Sequence, residues 1–164
     1  MLKILLGVAV VAFSTFCGYF FAKKYRKRKN FFIKMTTFNE KYLNEMGYYK
    51  RPLDEFAKHC SLQGEFGAFC MYFLRKLGCK EGLAECRSVL DAMGCFSAEE
   101  REFIIEYFFA LGKGDSITQT QYFSAIKAPL NEYMGRAKSD YGRYGKLYIQ
   151  MGFLCGVAVL ILII

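Results

Sequence analysis

Seven cysteines and a single histidine are the residues of this chain best suited to holding a metal or to thiol–disulfide chemistry. Cys60, Cys70, Cys79, Cys86 and Cys95 follow one another at intervals of seven to ten residues, with His59 beside the first. Zinc sites bring their ligands in close pairs, and no Cys-x-x-Cys occurs here. Cys70 and Cys86 fall on apolar helical stripes, where a reduced thiol packs as a small hydrophobe. No metal and no cofactor is expected. Catalysis has little to work with. There is one histidine, no serine flanked by glycines, and Gly112-Lys-Gly-Asp115 lacks the spacing and the closing Ser or Thr of a phosphate-cradling loop. It reads as a turn between helices, no catalytic residue can be named, and an enzyme is not expected.

Charge is the next candidate for chemistry. The net charge of +8 suits nucleic acid or an anionic membrane surface, and position decides between them. Six of the seven residues from Lys23 to Lys29 (Lys23, Lys24, Arg26, Lys27, Arg28, Lys29) are basic and directly follow an apolar run. Arg143 and Lys146 stand just before a second one. Basic charge abutting a hydrophobic span belongs at the cytoplasmic leaflet, where each cation near anionic lipid is worth about 1 kcal/mol. These eight residues are the membrane-surface candidates, with anionic lipid and not nucleic acid as the partner.

Two runs beside these charges are long enough to cross a bilayer. Ile4 to Ala22 gives nineteen uncharged residues and Leu147 to Ile164 eighteen. As helices they reach about 28 Å and 27 Å, close to a hydrocarbon core of about 30 Å. A cleaved signal peptide is the rival for the first run. Its charge order is wrong, with one lysine before and six basic residues after, and no small-x-small site lies near residues 18 to 24. The expected organisation is a transmembrane helix over 1–22, a basic cytoplasmic domain over 23–146 and a transmembrane helix over 147–164. Of 23 basic residues 22 lie between the spans with all 15 acidic ones, a net of +7, so the positive-inside rule places this segment in the cytoplasm. Almost nothing projects on the far side. Gly152 and Gly156 form a Gly-x-x-x-Gly pair in the second run, and Ser14 and Gly18 a similar small face in the first. Small residues at that spacing let helix backbones approach in lipid. These faces are expected to pair within one protomer or between protomers of a homo-oligomer.

Between the spans the period is helical. Phe31, Phe32, Met35, Phe38, Tyr42 and Met46 share one stripe, and Pro52 suits a helix start. Phe66, Phe69, Cys70, Phe73, Leu74 and Leu77 form a second stripe ending at Gly78. Leu83, Cys86, Val89, Leu90 and Met93 form another, ending at Gly94. Ser97-Ala-Glu-Glu100 and Ser116-Ile-Thr-Gln119 carry capping-box signatures. The last helix would run from Ile117 towards the second span, with a kink or break near Pro129. An all-α antiparallel bundle of about six helices follows. Most of the 17 Phe and 12 Tyr are core, while Tyr48 and Tyr49 beside Pro52 are candidates for a partner's surface.

The layout resembles the stage III sporulation protein AB family of endospore-forming bacteria. The likeness is carried by Met1-Leu-Lys, by Lys23-Lys-Tyr-Arg-Lys-Arg28, and by Glu45-Met-Gly-Tyr48 leading to Pro52-Leu53. It continues in Leu111-Gly112 with Asp115 and Gln119, then in Tyr144-Gly-Lys-Leu-Tyr148 and Met151-Gly152-Phe. Leu43 departs from the family pattern, and the middle third is unusually rich in Cys and Phe. The resemblance implies a helical domain similar to the platform protein of type II secretion and type IV pilus systems. It implies a place in the channel complex between mother cell and forespore, in the outer forespore membrane. The implied partners are a cytoplasmic secretion-type ATPase (sporulation protein AA) and other channel membrane proteins of the same operon. Glu45, Tyr48, Tyr49, Pro52, Asp115 and Gln119 are the partner-binding candidates. The leading expectation is a non-enzymatic platform and adaptor. The alternative is a membrane-surface regulatory protein with a helical ligand-binding domain.

Overall fold

No proline interrupts residues 2–48, and the chain uses that freedom to form a single helix, α1, from Leu2 to Tyr48. The computed structural model describes residues 2–48, 53, 55–56, 64–76 and 82–163. Beyond α1 come α2 (Gly64–Lys76), α3 (Gly82–Met93), α4 (Ala98–Ala110) and α5 (Ser116–Asp140). A five-residue π-helical turn, Tyr141–Gly145, then leads into α6 (Lys146–Ile163). Among the described residues there is no strand, and the chain is all-α. It divides into a terminal unit, Met1–Lys29 with Arg136–Ile164, and a central unit, Asn30–Gly135.

The central unit is built on aromatic stripes. Phe31, Phe32, Met35, Phe38 and Tyr42 of α1 are all buried, at the steps of three and four that place side chains on one helix face. Phe66, Phe69 and Phe73 supply the buried stripe of α2, and Ile104, Tyr107 and Phe108 that of α4. The rings interlock edge-to-face, with Phe31 at 5.3 Å from Phe66 and 4.8 Å from Phe96, and Phe69 at 5.1 Å from Phe108.

Local signals set the helix ends. Ser97 caps α4 with both halves of a capping box: the Glu100 amide donates to Ser97 Oγ at 3.2 Å, and the Ser97 amide to Glu100 Oε2 at 2.9 Å. Gly94 ends α3 at φ +59°, a left-handed conformation that costs glycine nothing. The start of α5 differs from the expected Ser116 to Gln119 box. Ser116 is already helical and Asp115 caps instead, accepting from the Thr118 hydroxyl. That bond and the nearby backbone amides hold the Asp115 carboxyl below its usual range. Gln119, released from the cap, turns into the core. Nor does Pro129 end α5, which continues eleven residues past it to Asp140. The departure from regular α-helix comes at Tyr141–Gly145 instead, a segment holding two glycines.

Among the described residues one helical stretch, Ser116–Leu162, contains a run long and apolar enough to cross a membrane, and it overlaps the second expected span. The first expected span is helical from Leu2 onward, and its side chains up to Leu6 and that of Val8 lie outside the described residues. So do Tyr49, Pro52, His59, Cys60, Gly78 and Cys79, and the side chains of Tyr48 and Leu83.

Candidate functional site

The terminal unit pairs the first part of α1 with α6, and glycine makes the pairing close. A Cβ placed on Gly152 would meet the Ser14 carbonyl oxygen at 2.7 Å and the Gly18 Cα at 3.2 Å. One on Gly156 would meet Val11 Cα at 2.8 Å, and one on Gly18 the Tyr148 carbonyl oxygen at 2.5 Å. Only hydrogen fits in these gaps. Ser14 Oγ also donates to the Gly152 carbonyl at 2.7 Å, linking the two backbones directly. All four small residues singled out for packing (Ser14, Gly18, Gly152, Gly156) are therefore brought together, within one chain. The remaining faces are apolar and exposed. Phe13, Phe16, Phe20 and Phe21 on α1, and Leu154, Ile161 and Leu162 on α6, are each more than 60 % exposed.

Where the apolar stretches end, a collar of tyrosines and cations begins. Tyr25 stacks on Tyr144 (5.8 Å) and on Tyr148 (5.9 Å), and Phe21 lies 6.0 Å from Tyr148. Lys29 Nζ stands 4.0 Å above the Tyr141 ring, and Arg26 lies over Tyr19 at 5.2 Å. Arg28 donates to Asp140 Oδ2 at 2.5 Å, a half-buried ion pair across the helix pair. Lys23, Lys24, Arg26, Arg143 and Lys146 are exposed, while Lys27, Arg28 and Lys29 are partly covered. Tyrosine among basic residues beside an apolar stretch is the composition of a membrane–water boundary. Sequence reading singled out the cations and missed Tyr25, Tyr141, Tyr144 and Tyr148. Their nearness to the basic runs was an available signal. The Arg28–Asp140 pair, 112 residues apart, carried none.

Of the partner-binding candidates, Tyr49, Pro52 and the Tyr48 side chain lie outside the described residues. Asp115 is exposed at the start of α5, and Glu45 is half-buried on α1. Gln119, expected to face a partner, is 4 % exposed. It accepts a hydrogen bond from the Tyr42 hydroxyl, and its Nε2 donates to the Lys113 carbonyl at 3.0 Å. Its amide is used inside the central unit, because a polar group so deeply buried needs internal partners. Asn39 is the unforeseen member of this network. Its Nδ2 donates to the Phe123 carbonyl at 3.2 Å, and its Oδ1 accepts from the Tyr107 hydroxyl at 3.3 Å. Cys70, Cys86 and Cys95 are buried reduced thiols, and burial pushes the Cys86 thiol up from its ordinary value. Among the described residues no group of His, Cys, Asp and Glu is arranged to hold a metal ion.

Comparison with curated proteins and with solved structures finds no match. Comparison with protein families does: the sequence pattern of stage III sporulation protein AB matches residues 3–164, essentially the whole chain. With that match over its length, the chain belongs to the stage III sporulation protein AB family.

Proposed function

We propose that this protein is a non-enzymatic platform and adaptor of the sporulation channel complex. The terminal unit anchors it by two spans in the outer forespore membrane. The central unit, a helical bundle of the secretion-platform type, stands in the mother-cell cytoplasm and docks a secretion-type ATPase, sporulation protein AA. Other channel membrane proteins of the same operon would meet it within the membrane. Membership of a stage III sporulation family supports the setting.

The observation that carries the anchoring role is the helix pair itself. Its inner faces fit through Gly152 and Gly156, while its outer faces present Phe13, Phe16, Phe20, Leu154 and Ile161. Contiguous exposed apolar surface of that kind is costly in water and ordinary in lipid. The tyrosine and cation collar then marks the boundary and its cytoplasmic side. For docking, the central unit offers exposed Asp115, Ile117 and Tyr122 around the start of α5.

Affinity capture of the full-length tagged protein from detergent-solubilised membranes of sporulating cells tests this. The ATPase is expected to co-purify. Its absence, while the tagged protein itself resists carbonate extraction, would remove the adaptor role and leave the anchor standing.

A further inference from the structure

Leu147 to Ile164 holds no charged residue and one carboxamide, Gln150. It lies four residues beyond Lys146, about 6 Å along the helix and inside the apolar stretch. Its side chain is exposed, and among the described residues it has no hydrogen-bond partner. A carboxamide brings two donors and an acceptor, and facing lipid it loses the water that would satisfy them.

Gln150 stands away from the face that α1 covers. Tyr148 packs on Phe21, Gly152 on Ser14 and Gly18, Gly156 on Val11, and the Leu160 side chain fills the space at Gly7. Steps of three and four from Gln150 pick out a different stripe, made of Leu147, Gln150, Leu154, Val157 and Ile161. Leu147, Leu154 and Ile161 are 47 %, 62 % and 71 % exposed. The spacing is that of a heptad seam with one polar member. It begins where the π-helical turn Tyr141–Gly145 gives way to regular α-helix.

Copies of one protein enter a membrane with the same side to the cytoplasm, so their α6 helices run parallel. A parallel heptad seam sets each residue level with its own counterpart. Gln150 then faces Gln150, and a carboxamide complements itself, each donating to the other's oxygen across a two-fold axis. A partner of different sequence would need an amide of its own at that depth. The glycine faces, the other means of close association, are already used within the chain. Lys146 lies beside the seam, and its flexible stem carries the charge out to the headgroups, away from its counterpart.

We infer that two copies of this protein associate through the outer face of α6, with the paired Gln150 carboxamides fixing the register. One polar pair in an apolar seam specifies alignment and copy number. Hydrogen bonds between helices in lipid add to the packing of the stripe. The inference rests on reading the terminal unit as a membrane anchor.

Sedimentation equilibrium of the full-length protein in a density-matched neutral detergent tests it. A reversible dimer is expected, favoured as the protein-to-detergent ratio rises. Gln150→Leu should weaken it on the order of tenfold, and Gln150→Asn, which keeps a carboxamide, should weaken it less. In native membranes, Leu154→Cys and Ile161→Cys, each combined with Cys155→Ala, should be trapped as disulfide-linked dimers by a membrane-permeant oxidant. The unaltered chain, whose exposed Cys155 lies off the seam, should give fewer. A monomer at every ratio, undiminished association of Gln150→Leu, or equal trapping of the unaltered chain would overturn the inference. So would trapping of Leu154→Cys only onto a different membrane protein. Protein extracted from membranes by carbonate would instead overturn the anchor beneath it.

Discussion

Asn39 occupies a position where an apolar side chain would satisfy the helical stripe, yet it is fully buried and bonded at both ends of its amide. It joins α1 to α5 through the Phe123 carbonyl and to α4 through Tyr107. Truncating it leaves the buried Phe123 carbonyl and Tyr107 hydroxyl without their partner, at a cost of about 2 kcal/mol. The Asn39→Ala variant is therefore expected to unfold at a lower temperature, followed by near-UV circular dichroism, with Tyr107→Phe showing a smaller loss. Tyr42 gives this network a pH dependence. Burial pushes its hydroxyl up to about 12, with a backbone hydrogen bond at Gly112 acting the other way. The folded state thus favours the protonated phenol. Its contribution is complete below pH 10, the ordinary value, and is lost as pH rises towards 12. The thermal midpoint should fall across that window, and fall less in Tyr42→Phe. Neither Asn39 nor the inward turn of Gln119 was legible in the sequence. Polar residues on a helix look alike whether they meet solvent or a carbonyl from a segment 84 residues away.

At the scale of elements, two tight fits control stability in different surroundings. In α4 the Ser97 side chain accepts from the Glu100 amide, and Ser97→Ala should cost the central unit about 1 kcal/mol. In the terminal unit an isoleucine at Gly152 or Gly156 would drive a branched side chain into α1 backbone 2.7 to 2.8 Å away. Gly152→Ile with Gly156→Ile is expected to separate the helix pair, with a lower protein level in the membrane and a lower midpoint in detergent. Unchanged values for both would contradict the pairing. Most elements could be read ahead because their signals are local. The stripe from Phe31 to Tyr42, the Ser97 box and the Gly94 stop are all set within a few residues. The start of α5 was misread because Asp115 and Ser116 are both good caps, and the carboxylate, the stronger acceptor, took the position. The π turn had no sequence signal beyond Gly142 and Gly145.

At the scale of the molecule, charge and apolarity are sorted together. The unit that exposes Phe13, Phe16, Leu154 and Ile161 also carries all but one of its cations in two runs beside the apolar stretches. The sequence located those cations but spread their charge over residues 23–146. Only the division at Lys29 and Gly135 reveals that the central unit is close to neutral. Long-range pairing made the difference, since 23–29 and 136–146 are separated by the whole central unit. The proposed anchoring role requires this boundary to mark the cytoplasmic side. Protease applied to protoplasts of cells making the full-length protein measures that directly. Residues 30–135 are predicted to stay intact until the membrane is opened, and then to be digested. Their loss while the membrane is still sealed would contradict the account.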